Sequence, residues 1–228
     1  MALNQDELNE LVTVLEQTQV PFMVGFNRRF SPAARRAREI LVGRQGPLMI
    51  LYRVNAGYLP PDHWVHGPEG GGRIISEACH MFDLFNFLVD VEVEAVSSES
   101  LVPRSEHVLA QDNVSTTVRY ADGSVCTLLY TALGSTDLGK EYIEVYVDGK
   151  VLVVDDFKAL HVHGLADRGW SARAADKGHR QALQCFASSI QEGNGWPISL
   201  AQMVSATRVS FLASGLSLAE EDSGMPSV

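Results

Sequence analysis

The chain has 228 residues, 46% hydrophobic and 20% charged, the proportions of a soluble globular protein rather than a disordered or membrane-embedded one. Its net charge of −10 argues against nucleic acid and against an anionic membrane surface as partners. Cys79, Cys126 and Cys185 form no C-x-x-C pair and no apolar run is long enough to span a bilayer, so the chain reads as cytoplasmic, without a disulfide framework or zinc ribbon.

Residues 5–18 place Leu8, Leu11, Val12 and Leu15 on one helical face, and Asn4 with Glu7 suggests a capping box. Val20-Pro21 stops that helix, and 22–26 reads as a short buried strand. Asn27-Arg28-Arg29 then sets two cations at a strand end, a common place for ligand contacts. Ser31-Pro32 pairs an N-cap with proline at the first helical position and predicts a helix to about Val42. After Gly46-Pro47 an extended segment covers 48–55. Residues 56–72 show no period and hold Pro60-Pro61, Asp62, His63, Trp64 and His66. A stretch of that length inside a compact protein is more often functional than idle.

The stretch GPEGGGRIISEACHMFDLFNFLVD (67–90) follows, and the rest of the chain is organised around it. Ile75, Ala78, Cys79, Phe82, Phe85 and Val89 share one helical face. At about 100° per residue, Ser76, His80 and Asp83 fall within roughly 60° of one another on a different side, with Glu77 on the other flank of His80. From Val91 to His163 the pattern turns to strands: 91–96, 114–120, 125–131, 142–147, 151–154 and 160–163, with turn signals at 121–124 and at Asp148-Gly149. Residues 164–175 read as a polar link. Helices are predicted at 177–191 and 200–218, and the tail from Glu220 as disordered. Hairpin-linked strands with helices before and after imply an α+β fold with a large, mostly antiparallel sheet.

His80 is the first chemical candidate, because an imidazole gives or takes a proton near neutral pH. Asp83, one turn on, or Glu77, one turn before, is placed to orient it. The bland alternative is a capped core helix with one satisfied histidine. His63 with His66, or His161 with His163, can ligate a metal only with a third residue, and no cysteine or carboxylate stands at a recognised spacing, so no metal site is expected. Lys177-Gly178-His179 reads as an exposed helix start. No G-x-G-x-x-G joins a strand to a helix: Gly70-Gly71-Gly72 follows a loop, so no cofactor-binding residue is expected in this chain.

The blocks VGFNRRFSP (24–32), YRVNAGYLPPDHWVHGPEGGGRIISEACHMFD (52–83), DNVSTTVRYADGSVCTLLYT (112–131) and DKGHRQAL (176–183) resemble the Gfo/Idh/MocA oxidoreductases, in particular the branch often fused behind a zinc-type alcohol dehydrogenase module. The resemblance implies a Rossmann domain that binds NAD or NADP and a C-terminal domain with a large open sheet and helices on one face. Residues 1–27 then correspond to the last helix and strand of the Rossmann domain, the rest of it missing. Residues 28–219 correspond to the substrate-binding and oligomerisation domain, and 220–228 to the tail. The family's E-K-P motif, source of a catalytic lysine, would end just before Ala2. His80 matches the family histidine, and Ser76 stands where many members have aspartate. Glu77 and Asp83 are the further catalytic candidates. Asn27, Arg28, Arg53, Asn55, His63, Trp64 and Ser76 are the substrate-contact candidates.

On this reading the substrate is a sugar or cyclitol, the assembly a homodimer or higher homo-oligomer, and the chain by itself inactive. The alternatives are one subunit of a split dehydrogenase, whose Rossmann-domain partner chain docks at 22–26, and a sugar-binding or regulatory module without redox chemistry.

Overall fold

The structure is a computed structural model that describes residues 1–167, 169–193 and 195–216. The helix expected at 200–218 ends at Ala213, capped at Ser214, and the tail from Glu220 lies outside the described residues.

Asn4 caps α1 (Gln5–Thr18). Its side chain accepts the Glu7 N–H at 2.9 Å, and the Glu7 carboxylate accepts in return from Asn4 Nδ2 and the Leu3 N–H, the reciprocal pattern of a capping box. Leu8 and Leu15 carry the buried stripe. Residues 20–26 depart from expectation. They join no strand, and the Phe26 and Asn27 N–H groups close on Val24 O and Gly25 O, both at 2.7 Å. A strand needs a neighbour for its backbone groups. None reaches this segment, and Phe22, Met23, Val24 and Phe26 pack on Ile198 and Met203 instead. Ser31 then caps α2 (Pro32–Leu41) by accepting the Ala34 N–H, and Ala33, Ala34, Ala37 and Leu41 are buried.

Eight strands form one sheet: β1 (Met49–Asn55), β2 (Val93–Ser100), β3 (Val114–Tyr120), β4 (Val125–Thr131), β5 (Glu141–Val147), β6 (Lys150–Asp155), β7 (Ala159–His163) and β8 (Trp170–Ser171). Their order is β2-β3-β4-β1-β5-β6-β7-β8, and only the β1–β4 pair is parallel. Asp148 and Gly149 turn β5 into β6 with φ of 47° and 73°, the two positive angles that a two-residue type I′ hairpin demands. The short strand β8 falls inside the stretch read as a polar link.

The sheet is covered on one face. Tyr52, Val54, Leu128, Tyr130, Ile143 and Val145 alternate inward and join Phe82, Phe85 and Leu88 of α3 (Cys79–Val89) in one core cluster. Each large apolar side chain buried this way contributes on the order of 1.5–3 kcal/mol. The other face presents Met49, Leu51, Leu129 and Tyr146, all exposed. The helices α4 (His179–Glu192) and α5 (Leu200–Ala213) complete the chain, α5 packing along α3. No helix among the described residues is long and apolar enough to cross a membrane.

Candidate active site

The helical run that ends in α3 does not begin as an α-helix. Ile74–Ala78 is a π-helical turn, and α3 follows directly. A π turn is wider than an α turn and is found often at functional sites. It changes the angular relation of residues 74–78 to those after them, so the arc expected to join Ser76, His80 and Asp83 does not carry over. Glu77, from this turn, reaches the sheet. Its carboxylate accepts from Lys140 Nζ at 2.5 Å, Tyr130 OH at 2.5 Å and Arg73 Nη2 at 3.1 Å.

A second cluster of the same composition stands at the start of β5. Arg28 forks onto Glu141 through Nε at 2.7 Å and Nη2 at 3.0 Å, Lys177 Nζ donates at 2.5 Å, and Tyr52 OH donates as well. Burial by itself raises both carboxyls. At Glu77 the hydrogen bonds from Lys140 and Tyr130 and the charges of Lys140 and Arg73 outweigh it, and at Glu141 those of Arg28 and Lys177 do. Both glutamates are held down to about 2 and are ionised at neutral pH.

His80 sits in the field of both clusters. Burial pushes its imidazole down, and the charge of Arg28 pushes it further. Glu141 and Glu77 pull it back up and His179 opposes them, with the net value about 4. The ring is therefore neutral at pH 7. Its Nδ1 is buried with no hydrogen-bond partner, and Phe26 meets the ring edge-on at 5.5 Å. A neutral imidazole with an open ring nitrogen is able to accept a proton.

The GFO/IDH/MocA C-terminal domain family matches residues 35–152, just over half of the chain. The chain belongs to the Gfo/Idh/MocA family. No protein of curated function matches the sequence. Among solved structures, the UDP-N-acetylglucosamine 3-dehydrogenase GnnA from Acidithiobacillus ferrooxidans superposes with a TM-score of 0.76 at 14% identity, over 94% of this chain and 67% of that one. An oxidoreductase domain protein from Kribbella flavida gives 0.78 at 17% identity, over 94% and 70%. A myo-inositol dehydrogenase from Corynebacterium glutamicum ATCC 13032 gives 0.72 at 19% identity, over 92% and 66%. This Gfo/Idh/MocA chain spans about two thirds of their length, and at these identities the likeness is one of fold.

The candidate residues of this Gfo/Idh/MocA domain divide into three groups. His80, Glu77 and Arg28 come together as described. Asn27 joins them indirectly, donating from Nδ2 to Lys177 O at 2.7 Å. Ser76 Oγ donates to Gly72 O at 2.9 Å, inside its own helical turn. Asp83 corrects the expectation that it orients His80. It is fully buried, and Arg29 forks onto it at 2.6 and 2.8 Å. Burial pushes the Asp83 carboxyl up to about 6 against the opposing pull of Arg29.

Arg53 and Asn55 serve the loop before β5. Arg53, paired with Tyr142, donates to Gly139 O at 2.7 Å and lies 5.7 Å over the Tyr142 ring. By strand alternation that is the face opposite Glu141. Asn55 Nδ2 donates to Ser135 O and Leu138 O. Together they pin the loop that delivers Lys140 to Glu77. His63 accepts the Val65 N–H, Trp64 beside it is 64% exposed, and His66 turns inward to Asp112 at 3.5 Å. Among the described residues no three His, Cys, Asp or Glu side chains gather as a metal site needs.

Sequence reasoning passed over Glu141, Lys140, Tyr52 and Tyr130, and read Lys177 only as part of an exposed helix start, whereas it precedes α4 and reaches Glu141. A signal was available for one of them. In EYIEVYV, Glu141 is in phase with Ile143, Val145 and Val147, so alternation alone puts a carboxylate on the buried face. A buried carboxylate requires partners.

Proposed function

We propose that this chain is the substrate-binding and oligomerisation domain of an NAD(P)-dependent oxidoreductase acting on a secondary alcohol of a sugar or cyclitol. The observation that carries the reading is His80, a neutral imidazole with an unpartnered buried nitrogen, set between two ionised glutamate clusters beside the π turn. In this role His80 takes the proton of the substrate hydroxyl. Glu77 stabilises the imidazolium that forms, and Ser76, Asn27, His63 and Trp64 border the bound ring.

Among the described residues, the Gly70-Gly71-Gly72 loop does not have the form of a dinucleotide-binding loop. Gly70 and Gly71 pack on the protein itself: a Cβ on Gly70 would lie 2.3 Å from Val65 O, and one on Gly71 would lie 2.8 Å from Leu3 Cδ2. Gly72 is open, but a pyrophosphate needs open glycine backbone directly after a strand, and this loop follows a 3-10 turn at Trp64–His66 instead. The chain by itself is therefore inactive on this reading.

A titration tests it. Myo-inositol or a hexose is expected to bind the purified chain, His80→Ala to weaken that binding at least about tenfold, and NADH fluorescence to show no binding. Tight NADH binding, or sugar binding indifferent to His80, would overturn the reading.

Residues 20–26 favour a second reading, a subunit of a split dehydrogenase. They stand outside the sheet, with Val20 exposed, and backbone without a strand neighbour is a template for another chain. The open sheet face with Met49, Leu51, Leu129 and Tyr146 supports a homodimer or higher oligomer. Light scattering is expected to return at least twice the mass of 24.9 kDa at micromolar concentration, and a monomer there would count against it.

A further inference from the structure

The two glutamate clusters hold more positive charge than their carboxylates require. Arg28 satisfies Glu141 with a two-pronged contact, and Tyr52 adds a third donor. Lys177 is a second cation on the same single charge. It is also the accessible one, 24% exposed against 8% for Arg28 and 0% for Glu141. Glu77 repeats the pattern: Arg73 is buried, Tyr130 donates, and Lys140 is 37% exposed. Arg73 also lies 4.0 Å from Asp112, so the surplus is clearest at Glu141. A carboxylate already neutralised by a forked guanidinium leaves a further ammonium uncompensated. On a chain of net charge −10, these two lysines make a local positive rim beside His80.

Lys177 is also rigidly presented. Asn27 holds its carbonyl at 2.7 Å, and Asp176 Oδ1 accepts the Gly178 N–H at 3.0 Å. Gly178 has φ +83°, and a Cβ there would come within 2.4 Å of Asn27 O and Ser31 N. Only glycine fits, so the backbone that carries Lys177 is fixed against residues 27–31 while its side chain, 24% exposed, reaches Glu141 from the solvent side.

We propose that Lys177, seconded by Lys140, binds an anionic group on the sugar, a carboxylate or a phosphate, and so selects acidic sugars over neutral ones. This rests on the oxidoreductase reading above and deepens it by naming the substrate class. Lys177 moves from Glu141 onto the ligand anion, and Arg28 and Tyr52 keep Glu141 satisfied meanwhile. Lys177 is a specificity-determining residue, separate from the proton transfer at His80.

The test is calorimetry on the purified chain at low salt with a matched set: glucose, glucuronate and glucose 6-phosphate. At least one acidic member is expected to bind roughly tenfold more tightly than glucose, and which one separates carboxylate from phosphate recognition. The preference is expected to shrink as salt is added. It should vanish in Lys177→Met and persist in Lys177→Arg, whereas His80→Phe should weaken acidic and neutral ligands alike. Glucose binding as tightly as both acidic sugars in the unmodified chain would overturn the proposal and leave the sugar reading standing. So would a preference that survives Lys177→Met. No binding by any of the three would sink both.

Discussion

Glu77 and Glu141 are built from the same parts and differ in where they stand. Each accepts from an arginine, a tyrosine and a lysine. Glu141 is 0% exposed and sits on a strand in the middle of the sheet, gripped by a bidentate arginine. Glu77 is 24% exposed and sits on a π turn, with an arginine that it shares with Asp112. Where solvent is excluded, the glutamate and its forked arginine are part of the scaffold, because a charge stranded there is expensive, and only the half-buried Lys177 at the edge of that cluster is free to move. Where solvent enters, the same cluster is available to a ligand and its bonds are individually weak. Burial, rather than residue type, separates the glutamate sealed in the sheet from the one proposed to serve His80.

Replacing the buried carboxylate is the strongest way to break that comparison. Glu141→Gln strands Arg28 and Lys177 beside a neutral amide, and a loss on the order of 3–5 kcal/mol is expected in denaturant unfolding. A loss under about 1 kcal/mol would mean that the cluster is not structural.

Acid provides the next test. Both carboxyls have folded-state values depressed to about 2 from the ordinary 4.5. A depressed acid contributes stability that is fully present above its unfolded value and is lost as pH falls through the folded one. Stability should therefore fall between about pH 4.5 and pH 2, and Glu141→Gln and Glu77→Gln should each flatten the fall. Equal slopes in all three proteins would show that neither cluster contributes to acid sensitivity.

The smallest expected effect is on the exposed side. Glu77→Gln should cost about 1 kcal/mol or less, discounted for solvent screening, while the His80 imidazole, which Glu77 pulls up, should titrate lower by NMR. An unchanged His80 titration in that variant would show that Glu77 does not serve the imidazole.

Much of the fold is legible in the primary structure. The capping box at Asn4 and Glu7, the Ser31-Pro32 helix start and the Asp148-Gly149 hairpin are encoded within four residues each, and they appear as expected. The strand expected at 22–26 fails for the converse reason: its apolar run is local, but a strand exists only with a neighbour. At the site, His80, Glu77 and Arg28 were legible as types and positions, while their partners were not. Lys140 is 63 residues from Glu77, and Arg28 is 113 from Glu141.

The sequence by itself determined most of the elements and the resemblance to the family, because periodicity, caps and turns act over a few residues, but not the loss of the strand at 22–26, the short β8 or the π turn. Only the tertiary structure decided which charges meet. Arg29 takes Asp83 and Arg28 takes Glu141, although Arg28 and Arg29 are adjacent in the chain. That choice depends on the register of β1 against β5 and on the π turn before α3, which residue spacing does not reveal.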